Sequence, residues 1–351
     1  VAARVTMSDV ARRAGVSAKT VSNVLRGAPG ASPETRQRVL EAVTALGYRL
    51  NPSASALRSG RRGRITLAIP TLQQPLYAAL AQGLMRAAAH TSVVLELTQG
   101  EADREQEILA GSWAKRSDAA VLVPRGVDPA SLACGEVAQT KSPLVLIADS
   151  GPPDLPRVSC PPEAQVKLVA AHLRALGRLR PAVVGVAEAA DHWTGACVQG
   201  LRESGLRVDD DAVIRVGVPD GMLGGVEAVA RLAHAALPVN AMVCHNDALA
   251  AGAVSALRRR GVQVPAEVVV VGRGNTDAAA FATPTLTSVD LDLPAMAEGA
   301  LTLLGIGPAG GRREESLPPH LTQARLVTTT PALSARGSTV DGAGAGPERL
   351  G

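Results

Sequence analysis

Lys19 and Asn23 stand four positions apart, a spacing that places two side chains on one face of a helix, with Ala18 beside them. The chemistry this set can do is recognition. An ammonium donates to the acceptor edge of guanine, a carboxamide offers the paired donor and acceptor that match adenine, and a methyl packs on the methyl of thymine. Thr20 and Ser22 add hydroxyls suited to phosphate oxygens, which set register without reading bases.

Covalent chemistry has no comparable set. Cys134, Cys160, Cys197 and Cys244 form no Cys-x-x-Cys pair, so buried free thiols in a reducing cytoplasm are expected. The six histidines show no metal-ligand spacing, and no Gly-x-Ser-x-Gly elbow occurs. Gly272-Arg273-Gly274 begins like a dinucleotide fingerprint, but the third glycine of that spacing falls on Asp277. No catalytic residue, metal ligand or cofactor is assigned. His245 admits two readings, a cleft-lining group or a satisfied structural histidine. Asp209-Asp210-Asp211 reads as a solvated loop before a strand.

The elements that must carry the first set are short helices. Thr6-Met7-Ser8-Asp9 has the form of a capping box. Val10, Ala11 and Ala14 then share a face, and Gly15 ends the helix. Ser17 caps a second helix, whose Val21, Val24 and Leu25 face inward. Two short helices joined through Gly15-Val16-Ser17 suit a helix-turn-helix. Ser32-Pro33 starts a third helix with Val39, Leu40, Val43 and Leu46 on its apolar face, closed by Gly47. Asn51-Pro52 opens a fourth segment, residues 53–58, too short to hold as a helix in isolation.

Charge follows this division. Residues 1–64 hold twelve Lys and Arg against three acids, a balance of +9, while the other 287 residues carry −5 within a total of +4. A basic head on a mildly acidic body suits a head that meets a polyanion. The core of the 351-residue chain must be aliphatic, because Trp113, Trp193, Tyr48, Tyr77 and Phe281 are its whole aromatic set. Sites built from several stacked rings are thereby nearly excluded. No stretch reads as a membrane span, and the N-terminus lacks the pattern of a secretion signal.

From Ile65 onward the pattern becomes strand and helix in alternation. Strands are expected at 65–69, 93–97, 119–123, 144–148, 182–186, 212–216, 241–244 and 268–271, and helices at 77–89, 164–176, 193–204, 225–236 and 248–260. Such alternation predicts parallel sheets covered by helices, here as two doubly wound lobes, although a closed barrel fits the strand count too. The Gly-, Ser- and Ala-rich residues 331–351 read as a disordered tail.

Residues 5–60 resemble the head and hinge of the lactose-repressor (LacI/GalR) family of bacterial transcription regulators. The motifs that carry this are the helix-turn-helix, Ser32-Pro33-Glu34-Thr35-Arg36, Leu46-Gly47-Tyr48, Asn51-Pro52 and Ala56-Leu57-Arg58-Ser59-Gly60. A weaker resemblance continues to about Val327, through Leu67-Ala68-Ile69-Pro70, Leu144–Asp149, Asn246-Asp247-Ala248-Leu249-Ala250 and Val270-Val271-Gly272. It implies an all-α helix-turn-helix head (1–50), a hinge helix and basic linker (51–64), and an α/β body (65–330) of two doubly wound parallel-sheet lobes, like type I periplasmic binding proteins. The implied protein is a cytoplasmic repressor, a homodimer on a near-palindromic double-stranded DNA operator, with no membrane partner.

Under that resemblance Ala18, Lys19 and Asn23 read bases, and Thr20 and Ser22 hold phosphates. Leu57, with Ala54 on the same face, enters the minor groove as a wedge. Effector contacts fall on Tyr77, Arg125, Asp149, His192, Asn246 and Arg273. This chain departs from the family pattern in the cleft: His192 replaces a frequent arginine, Gly274 an aspartate, Val218 an aromatic, and Pro161-Pro162 an Asp-Asn pair. A sugar needs bidentate polar partners and a stacking face, so three readings stay open: a sugar-like effector, another metabolite, or none. Two rivals differ in class. A solute-binding protein of the same body fold predicts a secretion signal and no basic head; an α/β enzyme predicts a catalytic constellation.

Overall fold

Thr6 and Asp9 exchange hydrogen bonds at the first helix start, in the capping box that the sequence predicts. In the computed structural model, which describes residues 5–25, 30–48, 62–88, 91–132, 143–217, 221–306 and 325–340, the chain separates into two units, residues 1–62 and 63–351. Ala54, Leu57, Cys134 and Val218 lie outside the described residues, as does the segment 53–58.

The first unit holds α1 (Met7–Ala14), α2 (Ala18–Leu25) and α3 (Pro33–Leu46). Val10, Ala11, Ala14, Val21, Val24, Val39 and Ala42 form its small core. Each helix start spends a hydroxyl on a free amide: Ser17 Oγ accepts from Thr20 N at 3.1 Å and Ser32 Oγ from Thr35 N at 3.2 Å. Such caps are worth about 1 kcal/mol each, a large share for a unit with so little to bury. Gly15 and Gly47 end α1 and α3 at φ 65° and 60°, in the left-handed conformation that glycine adopts without strain.

The second unit contains two six-stranded sheets. Its strands are β1 (Arg64–Ile69), β2 (Ser92–Leu97), β3 (Ala119–Leu122), β4 (Leu144–Ile147), β5 (Arg157–Ser159), β6 (Pro181–Val186), β7 (Val213–Val216), β8 (Ala241–Cys244), β9 (Val269–Arg273), β10 (Thr287–Asp290), β11 (Leu326–Thr328) and β12 (Ala332–Ser334). The first lobe has the order β11-β5-β4-β3-β1-β2, with Leu67 of β1 paired to Val121 and Leu95. The second has β12-β10-β9-β8-β6-β7. All pairs are parallel except β12, which runs antiparallel to β10. Two sheets answer the choice between lobes and a barrel.

Helices α4 (Pro75–Ala87), α5 (Ala102–Leu109), α6 (Pro162–Ala175), α7 (Trp193–Glu203), α8 (Met222–His234), α9 (Asp247–Arg259), α10 (Asp277–Phe281) and α11 (Leu293–Leu303) connect the strands. Ile65, Leu67, Ile69, Val121, Val145, Val183, Val243 and Val271 are essentially fully buried, as strands covered on both faces must be. Closing off each such side chain contributes about 1.5–3 kcal/mol. The chain passes from the first lobe to the second after β5, returns after β10, and crosses again between β11 and β12.

The expectation of a disordered tail from residue 331 is corrected for residues 331–340. β12 lies there, and Ser338 and Thr339 are buried. Ser338 Oγ donates to Val270 O at 2.6 Å, and Thr287 N donates back to Ser338 Oγ at 2.8 Å. Hydrogen bonds hold this segment together with the packing of Leu333 on the core, and with so few apolar residues its composition resembled that of a tail. The body accordingly runs past 330, and it begins at Gly63, whose N–H meets Asp118 Oδ2 at 2.6 Å. The Asp210–Ala212 stretch is a turn of 3₁₀ helix, and the strand after it starts at Val213.

Candidate functional site

In the first unit α2 turns Val21 and Val24 inward, which leaves Lys19 exposed and Asn23 half-buried on the opposite side. Ala18 sits half-buried against the small core. The Thr20 hydroxyl lies 2.9 Å from Ser17 Oγ, so it serves the start of α2. Ser22 is 9% exposed, at the edge of the packed side of the helix. Arg12 and Arg13, exposed in the last turn of α1, were not singled out by spacing and extend the basic surface.

In the second unit the carboxyl ends of both sheets open toward the space between the lobes, where ligands of parallel α/β folds sit. One buried carboxylate in each lobe shapes the loop that enters this space. Glu105 accepts from the backbone N–H groups of Arg125, Gly126 and Val127, each at 2.9 Å. Only glycine fits at 126, since a Cβ there would stand 2.4 Å from Gly100 O. In the other lobe Asp247 accepts from Thr276 N and Oγ1, both at 2.8 Å, and from Ser288 Oγ at 2.6 Å. The first loop presents Arg125 and Asp128; the second follows Arg273.

The lobes meet through these side chains. The Arg125 guanidinium pairs with the Glu188 carboxylate across the gap, with the two side chains 5% and 10% exposed. Ala190 N donates to Arg125 O at 3.2 Å across the same gap. Asp128 meets His192 Nε2 at 2.7 Å at the more open rim. Arg273 donates from Nε to Gln165 Oε1 at 2.7 Å, and its Nη2 stands 3.8 Å from Asp149 Oδ2. Its guanidinium lies 5.8 Å from the centre of the Trp193 ring, which in turn meets His245 edge to face at 5.3 Å.

Burial pushes the Asp149 carboxyl up from its ordinary range, against the pull of Arg273 and of the Ser159 hydroxyl at 3.1 Å. Burial, reinforced by repulsion from Arg273 and Arg125, holds His245 well below the ordinary histidine range, so the ring is neutral.

Of the six residues expected at an effector, Tyr77, Asp149 and Arg273 line one cavity of about 120 Å³ between the lobes, together with His245. Arg125 and His192 do not: each is engaged by a carboxylate of the other lobe. Asn246 caps α9 by accepting from Leu249 N at 2.8 Å and is not among the residues that line this cavity. Spacing missed Glu188, Asp128, Glu105, Gln165 and Trp193. For Glu188 a signal existed, because it follows the carboxyl end of an expected strand. Among the described residues no cluster of His, Cys, Asp or Glu is suited to a metal ion, and no helix is long and apolar enough to cross a membrane.

Residues 6–51 match the family described as bacterial regulatory proteins of the lacI family, and residues 170–328 match the periplasmic binding protein-like domain. The chain is 31% identical to the HTH-type transcriptional regulator MalR of Streptomyces coelicolor over 96% of its own length and 97% of that protein. A lac repressor dimer bound to operator and the anti-inducer ONPF has the same fold (TM-score 0.78, 21% identity, 96% of this chain and 99% of that one). So does the complex of the regulator CelR with cellobiose (TM-score 0.63, 24% identity, 95% and 100%).

Proposed function

Because the chain belongs to the lacI family of bacterial regulatory proteins, we propose that its residues divide the work of a transcriptional repressor as follows. Two copies bind a near-palindromic double-stranded operator, each placing α2 in the major groove. Lys19 and Asn23 read base edges there, with Ala18 at the helix start supplying a methyl contact. Arg and Lys of the head neutralise phosphates and release counterions, so affinity falls steeply with salt. The observation that carries this reading is the open face of α2: Lys19 is exposed and Asn23 is half-covered, while every valine of the helix is turned to the core.

Residues 51–64 form the hinge in this reading, with Leu57 as a wedge in the minor groove and Ala54 allowing close approach. The body supplies two further things. Its exposed large apolar side chains, Met85, Val94 and Leu97 in one lobe and Met222, Leu223 and Phe281 in the other, serve the contact between the two copies. Its inter-lobe cavity takes the effector. A ligand that favours one degree of lobe closure shifts the hinge equilibrium and with it operator affinity. The protein acts in the cytoplasm, and no catalytic step enters the scheme.

The test is a selection of bound sequences from random duplex DNA with the full chain. Recovery of a near-palindromic motif, lost in a fragment lacking residues 1–62, supports the reading; retention of the motif by that fragment ends it.

A further inference from the structure

β1 begins at Arg64 with a neighbour on each side, β2 and β3. Arg64 pairs with Ser92, and Ile65 with Ala119. The residue before the strand is held on both sides as well. Gly63 O accepts from Ser92 N at 2.9 Å, and Gly63 N donates to Asp118 Oδ2 at 2.6 Å. The same oxygen accepts from Arg64 N at 3.4 Å, while Asp118 N donates to Arg64 O at 2.8 Å. β3 starts only at Ala119, so a side chain extends the pairing one residue beyond the strand.

Gly63 has φ 65°, so the chain turns out of the strand direction there. Nothing crowds the place of a Cβ, which means that the glycine serves the turn and not a close approach. Successive N–H groups at such a turn form a concave site for an anion, and the carboxylate fills it with charge-assisted hydrogen bonds.

The block that carries Asp118 is rigid. Ser117 Oγ lies 2.7 Å from Thr66 Oγ1 of β1, with both residues buried. Ser117 N donates to the carbonyl of Trp113 at 3.0 Å, and the Trp113 side chain is itself buried.

We infer that Asp118 is the positioning residue of the linker: by holding the N–H groups of Gly63 and Arg64, it fixes the point on the first lobe from which the linker runs to the operator. This rests on the reading of residues 51–64 as the hinge. Two copies must deliver their heads to half-sites whose spacing the DNA sets. Each residue freed from the anchor adds about 3.5 Å of reach, so two add about 7 Å, close to two base-pair steps. A slacker tether lowers the effective concentration of the second head at its half-site and blurs the spacing that the dimer selects. Binding to arbitrary DNA needs no such fit, so the anchor acts on specific binding.

The experiment uses the full chain and three duplexes: one recovered by selection, the same with one base pair inserted at its centre, and a scrambled control. In Asp118→Ala the preference for the selected over the scrambled duplex should fall at least about fivefold, and the penalty for the inserted base pair should shrink. Gly63→Pro, which removes the donor and keeps the carboxylate, should do the same. The double variant should be no worse than either single change. Asp118→Asn keeps an acceptor oxygen and should stay within about twofold of the parent. Electrostatics alone predicts otherwise: removing an acid beside a basic linker would tighten binding to every duplex, equally in the alanine and asparagine variants. Unchanged preference and spacing penalty in Asp118→Ala and Gly63→Pro overturn the inference, as does an asparagine variant that matches the alanine one. Thermal unfolding of each variant, and hydrogen exchange at residues 62–66 without DNA, separate release of the anchor from unfolding of the body. Rapid exchange of these amides in the parent also overturns the inference. A parent that prefers no duplex ends the DNA-binding reading and the inference with it; a parent that keeps its preference while the variants match it ends the inference alone.

Discussion

The Glu105 carboxylate lies 2.9 Å from the backbone N–H of Arg125, and through that contact and the next two N–H groups it fixes the loop whose side chain reaches Glu188 in the other lobe. Glu105→Ala leaves three donors without their acceptor, each costing about 1–3 kcal/mol where buried. The variant should lose at least about 3 kcal/mol of stability in urea unfolding. A loss below about 1 kcal/mol would show that water replaces the carboxylate freely.

Glu188→Gln removes one charge of a buried inter-lobe pair and strands the other. Breaking such a pair costs about 3–5 kcal/mol, part of which the protein can avoid by opening its lobes. The radius of gyration in solution scattering should therefore rise. The double variant Arg125→Met with Glu188→Leu should be close to neutral in stability, since an apolar pair of similar size avoids the desolvation cost. An unchanged radius together with unchanged stability in Glu188→Gln would show that the Arg125–Glu188 pair does not hold the lobes together.

Lys19→Ala should cost about 1–3 kcal/mol in operator affinity and relax base preference at one position in each half-site. Ser22→Ala should leave base preference unchanged, because a hydroxyl that meets phosphate reads no base. Sequence selections and salt titrations separate the two. An unaltered preference in Lys19→Ala takes that residue out of the reading set.

Stability should fall on mild acidification. Burial lowers the folded values of His245 and His172, so their contribution is fully present above the unfolded histidine value near about 6.5. It is lost as pH drops toward the folded values, at up to about 1.4 kcal/mol per pH unit for each proton. Asp149 has the opposite sign, since a raised carboxyl stabilises only below its folded value. His245→Gln should reduce the acid slope by one proton in urea unfolding measured across pH 4–7; an identical slope would falsify the assignment.

Cys160, Cys197 and Cys244 are buried, and burial pushes each thiol above its ordinary range. The thiolate is the reactive form, so these three should resist a disulfide reagent in the native protein and react together on unfolding. Rapid native labelling of any of them, located by mass spectrometry, would contradict the burial.

How far the sequence was legible follows from where the signal is local. Strands such as Ile65–Ile69 and Ala241–Cys244 were found within a residue because a strand covered on both faces must be a continuous apolar run. β5, Arg157–Ser159, is too short for a run, and the Ser338–Thr287 hydrogen bonds leave no apolar trace. In the head, a period of 3.6 sufficed to set Lys19 and Asn23 on the side of α2 away from its buried valines. In the cleft it did not suffice. Arg125 was expected to face a ligand, yet its partner Glu188 is 63 positions away, and only the folded lobes bring the two together. Asn246 poses a related choice: a polar residue before a helix can serve the helix or the site, and its Oδ1 accepts from Leu249 N.

The crossing between β11 and β12 has a consequence for biosynthesis. Residues 326–328 complete the edge of one sheet, and residues 332–334, only a few positions later, complete the edge of the other. A growing chain emerges at roughly 5–20 residues per second, N-terminal parts first. Neither lobe can therefore reach its final strand order until nearly all of the body has left the ribosome, and then both are finished almost at once. The small helical head has its whole core within the first few dozen residues, so it can fold alone while the body waits.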